Sequence, residues 1–183
     1  MFPPIPSWDA VHPLIVHFPI ALLLVAPVLI IVGMLLPGQR MGLFIAAFGL
    51  LAMGTIGTYV AVATGEAAGE LAESTPGIAA ILEAHEELAE TTRVIFTALT
   101  VIFAAILFGP TFFKRRLGPR PSLVLIVAFL LLYSAGSVVL INVAHEGGRL
   151  VHEFGVRAMV TATPTSATRI PETTKQEKHD DDH

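Results

Sequence analysis

From Leu14 to Leu36 the chain reads LIVHFPIALLLVAPVLIIVGMLL, twenty-three residues without a charged side chain. A bilayer core of about 30 Å needs roughly 20 consecutive apolar residues in a helix, so this stretch can cross one. Three more follow, at about Met41 to Ala63, Val94 to Phe113 and Ser122 to Ala144. Lipid cannot satisfy backbone polar groups, so each is expected to be helical. The four together predict an all-α integral membrane four-helix bundle of up-down topology.

Composition agrees. Of 183 residues, 54% are apolar and only 14% charged, whereas an average soluble domain carries about 25% charge. An ordinary cytosolic enzyme is excluded. The net charge of -4 supplies no basic stripe for nucleic acid. Cysteine is absent, which removes disulfides, thiolate ligands, cysteinyl clusters and covalent c-type haem.

The spans belong to a transmembrane domain covering residues 12–157. Before it, residues 1–11 hold three prolines in the first six positions. They predict an extended arm, with neither the basic region nor the cleavage site of a removable signal peptide. After it, residues 158–183 form a polar tail too poor in apolar residues to fold. Its closing His-Asp-Asp-Asp-His reads as a solvated acidic end rather than a metal site.

Charge placement gives an orientation. The Pro37–Arg40 turn and the loop holding Lys114, Arg115, Arg116 and Arg120 carry five of the eleven basic residues and none of the fifteen acids. Short basic loops face the cytoplasm, so both termini and the acidic 64–93 segment are expected outside, facing the periplasm of a bacterial inner membrane. The outer side then holds six basic residues against fifteen acids.

In that orientation all seven histidines fall on the outer side. Two belong to the tail. The others are His12 and His17 at the start of the first span, His85 before the third, and His145 and His152 at the end of the fourth. Helical rise suggests an inner layer of His17 and His145 and an outer layer of His12, His85 and His152. Gly147 and Gly148 are where the fourth helix could stop.

Other features bear on this end. Pro13 suits a first helical position. Pro19 and Pro27 remove backbone donors and free the carbonyls of Ile15 and Leu23. Gly57, Ala61, Gly65 and Gly69 make a small-residue stripe, suited to helix packing or to a flat macrocycle. After the Ser74–Gly77 turn, Ile78, Ile81, Leu82, Leu88 and Ala89 fit an amphipathic helix that runs into the third span and turns His85 toward the bundle. Glu83, Glu86, Glu87 and Glu90 read as its solvated face. No internal repeat stands out.

Four segments resemble a known bacterial family. They are His-Pro-Leu-Ile-Val-His-Phe-Pro-Ile-Ala-Leu at 12–22, Ala-Thr-Gly-Glu-Ala-Ala at 63–68, His85-Glu86, and Ala-His-Glu-Gly-Gly-Arg-Leu-Val at 144–151. This pattern resembles domain-of-unknown-function family 2231, over residues 10 to 155. The resemblance implies a four-helix membrane domain with His12, His17, His85 and His145 as recurring residues.

Chemistry offers three readings of the cluster. Two neutral imidazoles from facing helices can hold haem iron, so His12, His17, His85 and His145 could bind one or two haems b, with Arg149 or Arg157 meeting the propionates. Such a cytochrome would pass electrons between membrane quinol and a periplasmic carrier, or serve within a larger redox complex. Alternatively the same histidines, with His152 and Glu66 behind them, bind Cu, Zn or Fe. Adjacent His and Glu on a helix point about 100° apart, however, and do not chelate together. The third reading is a cofactor-free assembly subunit. No independent catalytic activity is expected, because no phosphate loop, nucleophile elbow or zinc-protease motif is present.

Overall fold

The computed structural model describes residues 8, 10–73, 75–112 and 118–156. Most of the expected arm, the Lys114–Arg116 cluster, Arg157 and the tail lie outside the described residues. Five helices follow in order: α1 His12–Ile15, α2 His17–Leu35, α3 Arg40–Ala72, α4 Ala79–Phe112 and α5 Pro119–His152. No strand occurs among the described residues. Four helical stretches are long and apolar enough to cross a membrane, the first being α1 and α2 together.

α1 and α2 are one helix interrupted at Val16. Pro13 opens it, and Pro19 explains the break by withholding the N–H that would bond the Ile15 carbonyl. Deeper in α2, Pro27 frees the Leu23 carbonyl. Tyr133 of α5, fully buried, donates its hydroxyl proton to that carbonyl at 2.6 Å. The proline costs α2 one bond and α5 returns it.

Three helices run past their apolar stretches. α3 continues nine residues beyond Ala63, α4 starts fifteen before Val94, and α5 ends eight after Ala144. The apolar windows mark bilayer length, whereas the flanking Ala- and Glu-rich segments are good helix formers that need no lipid. The amphipathic helix expected from Ile78 is the first half of α4. Gly147 and Gly148 lie inside α5, which ends instead in a turn at Gly155 (φ +70°) with the Val156 N–H on the Leu150 carbonyl at 3.0 Å.

Two cores result. The larger one, inside the spans, is threaded by a run of rings: Phe44 meets Phe103 edge-on at 6.1 Å, and Phe103 stacks on Phe129 at 4.9 Å. Tyr133 stands against both Phe129 and Phe96, at 5.7 and 5.5 Å. The smaller core joins the overhanging ends through Ala72, Ile78, Ile81, Leu82 and Leu150, with Phe154 and Val156 packed on it. Between it and the larger core lies the cavity described next.

Candidate functional site

α1–α2 packs on α3, and α4 packs on α5, through glycines. At Gly54 a Cβ would lie 2.7 Å from Leu23 and 3.3 Å from Leu22; at Gly136 it would lie 2.9 Å from Ile95 and 3.9 Å from Phe96. Eleven residues on, a Cβ at Gly65 would stand 3.0 Å from His12 Cε1, and one at Gly147 would stand 3.0 Å from His85 Cε1. His12 to His85 and Leu23 to Phe96 are both steps of 73; Gly54 to Gly136 and Gly65 to Gly147 are both steps of 82. The chain is thus two equivalent helical hairpins. The residues hide this repeat because the matched positions keep size and packing rather than identity, apart from the histidines and glycines.

Each hairpin offers one imidazole. His85 donates from Nδ1 to the Val143 carbonyl at 3.0 Å. His12 Nδ1 lies 3.0 Å from Thr64 Oγ1. The Thr64 hydroxyl is itself 3.0 and 3.1 Å from the Val60 and Ala61 carbonyls, which accept its proton. Its oxygen therefore accepts from His12 Nδ1–H. The Ala61 carbonyl, the counterpart of Val143, also acts on the His12 ring. In both rings Nε2 then carries the lone pair. The two imidazoles are close enough for a charge on one to be felt by the other.

Both half-buried rings line one cavity of about 720 Å³ between the hairpins, within the range of small-molecule and cofactor sites. Five carboxylates line it as well, Glu66, Glu83, Glu86, Glu87 and Glu90, and no Lys or Arg does among the described residues. Glu86 packs over Gly69. Burial, then the charges of Glu73, Glu66 and Glu83, push its carboxyl above the ordinary range. His85 lies nine residues outside the third apolar stretch. Burial lowers its pKa, opposed by the Val143 carbonyl and the Glu146 carboxylate, so the neutral ring is favoured.

The remaining candidates sit elsewhere. His17, His145 and His152 are exposed and outside the cavity lining. His17 donates from Nδ1 to the Pro13 carbonyl at 2.7 Å within its own helix. The expected layers regroup, because His85 reaches Val143 and Gly147 and is therefore level with His145. His17 lies about 7.5 Å deeper than His12 by helical rise. The apolar stretches misled here, since α5 stays apolar at the height where α4 has already turned acidic. Glu66 lines the cavity as a candidate ligand. Arg149 is engaged by Glu146 at 3.0 Å and Glu153 at 3.1 Å and does not line it.

The small-residue stripe of α3 serves helix packing: Pro19 covers Gly57, His12 covers Gly65 and Glu86 covers Gly69. Ala61, Gly65 and Gly69 of the stripe also line the cavity. Among the described residues no three His, Asp or Glu converge to hold a metal ion. Thr64 was not legible as a site residue. Its signals are a hydroxyl beside Gly65, where the helix leaves its apolar stretch, and its place in the 63–68 segment that resembles the family.

Neither a curated protein nor a solved structure matches the chain. A family model does match, over residues 8–159, and includes every residue that builds the cavity: the chain belongs to the predicted membrane protein family DUF2231.

Proposed function

We propose that this protein is a membrane-embedded b-type cytochrome-like electron-transfer protein in which His12 and His85 would hold one haem between the two hairpins. The observation that carries this reading is the matched pair of rings. Each has Nδ1 committed to an acceptor, so each presents a neutral Nε2, the arrangement that second-shell hydrogen bonds give to metal-bound histidine. The donor set fits a non-covalent haem, which needs two imidazoles and no cysteine. Bound there, haem would supply reversible one-electron transfer. The chain's part is to fix the two rings, to keep His85 neutral by burial, and to wall the group with Ala61, Val62 and Leu82.

The short basic turns support an orientation with this end of the bundle facing the periplasm of a bacterial inner membrane. Membrane quinol is then the fitting donor, and a periplasmic carrier or a larger redox complex the fitting acceptor.

A second reading is favoured by the five carboxylates. A lining without cations suits a metal ion better than a group that brings its own carboxylates. Cu, Zn or Fe held by the two imidazoles is that alternative.

Purification in mild detergent with haem supplied, followed by oxidised and dithionite-reduced spectra, separates the readings. One b-type haem per chain by pyridine haemochrome is expected. A missing Soret band sinks the haem reading. A colourless sample with stoichiometric copper, zinc or iron supports the metal.

A further inference from the structure

We propose that Thr64 is a positioning residue, whose hydroxyl oxygen fixes the His12 ring so that Nε2 is presented to the group in the cavity. The identity of that group rests on the haem reading; the geometry of the ring does not.

Thr64 is 0% exposed, the most buried polar side chain of the site. A threonine inside a helix satisfies itself by donating to a carbonyl one turn back, as Thr64 does to Val60 and Ala61. That bond alone needs no partner helix. The hydroxyl's second capacity, as an acceptor, is taken up by His12 across fifty-two positions of sequence. With its proton given to the backbone, the Thr64 oxygen is the acceptor for His12 Nδ1–H, and the contact favours that tautomer.

The repeat shows that this is an addition to the basic hairpin. The step of 82 that carries Gly65 to Gly147 carries Thr64 to Glu146. Both rings thus meet the equivalent carbonyl, Ala61 for His12 and Val143 for His85, and only His12 has a hydroxyl acceptor beside it.

Thr64→Val removes the acceptor and keeps the shape; Thr64→Ala removes it without β-branching, should Val disturb the helix; Thr64→Ser keeps it. Two measurements on each, in nanodiscs, decide the matter. The first is the tautomer of His12 in haem-free protein by nitrogen-15 histidine NMR. Wild type and Thr64→Ser should show the Nδ1–H form, and Thr64→Val a mixture. The second is titration with hemin, where Thr64→Val should bind about ten-fold more weakly, in line with loss of a second-shell partner. An unchanged tautomer and unchanged hemin affinity in both Thr64→Val and Thr64→Ala would overturn the role. If no variant binds hemin but the tautomer shifts as expected, the haem reading falls and the role of Thr64 stands.

Discussion

At the scale of single residues, His12 and His85 differ from His17 in what their Nδ1 atoms meet. Each bonds an acceptor on another helix, whereas His17 turns back on its own. His12→Ala and His85→Ala should each abolish the same haem signal. His17→Ala and His145→Ala should leave it at full intensity, which reduced-minus-oxidised spectra of the four purified variants can check. The glycines opposite the rings are equally exacting. A Cβ 3.0 Å from an imidazole carbon forces the ring to give, so Gly65→Ala and Gly147→Ala should weaken hemin binding about ten-fold by titration, as disturbed second shells do. That histidines gather at one end was legible in the sequence. Which two share the cavity was not, because that depends on how the two hairpins dock, through contacts such as Thr55 on Thr100 and Tyr133 on Leu23 that lie far apart in sequence.

The helices themselves show how an apparent defect is absorbed. Pro27 would leave the Leu23 carbonyl unsatisfied in an apolar interior, and Tyr133 closes that gap from α5. Tyr133→Phe should lower stability by about 1 kcal/mol, the scale of an interhelical hydrogen bond in a membrane. Pro27→Ala restores an N–H for the same carbonyl, so the Tyr133→Phe loss should shrink in that background. A double-mutant cycle followed by denaturant unfolding in micelles measures the coupling. The outer half of α4 makes a different prediction. A carboxyl whose folded pKa is raised contributes stability at low pH and loses it as pH rises through that raised value. Glu86→Gln should therefore raise thermal stability at neutral pH, with the gain vanishing below the ordinary carboxylate range. Sequence periodicity was enough to see α4 entering the membrane from Ile78. It could not show Glu86 lying over Gly69, since that contact belongs to α3.

Across the whole molecule, the sorting of charge and the pairing of hairpins act together. Arg40 and Arg120 mark one end, and the acidic segment with both imidazoles marks the other. A reporter fused after His183 that works only outside the cytoplasm should be active, and a cytoplasm-dependent one silent. Four spans and their order could be read from hydropathy alone, because bilayer thickness sets their length. The repeat could not, because two residues that fill the same gap, such as Leu23 and Phe96, need share only bulk.

Duplication has a further consequence for how such a protein is made. The side chains nearest Gly54 and Gly65 belong to the first hairpin, and those nearest Gly136 and Gly147 to the second. The hairpins are tied to each other by Tyr133 on the Leu23 carbonyl and Thr55 on Thr100, and the break between them falls at the Pro76–Gly77 turn, where Gly77 adopts φ +83°. Two separately encoded chains divided at that turn should find each other in the membrane. Neither alone supplies both nitrogen donors, so colour would report their reunion.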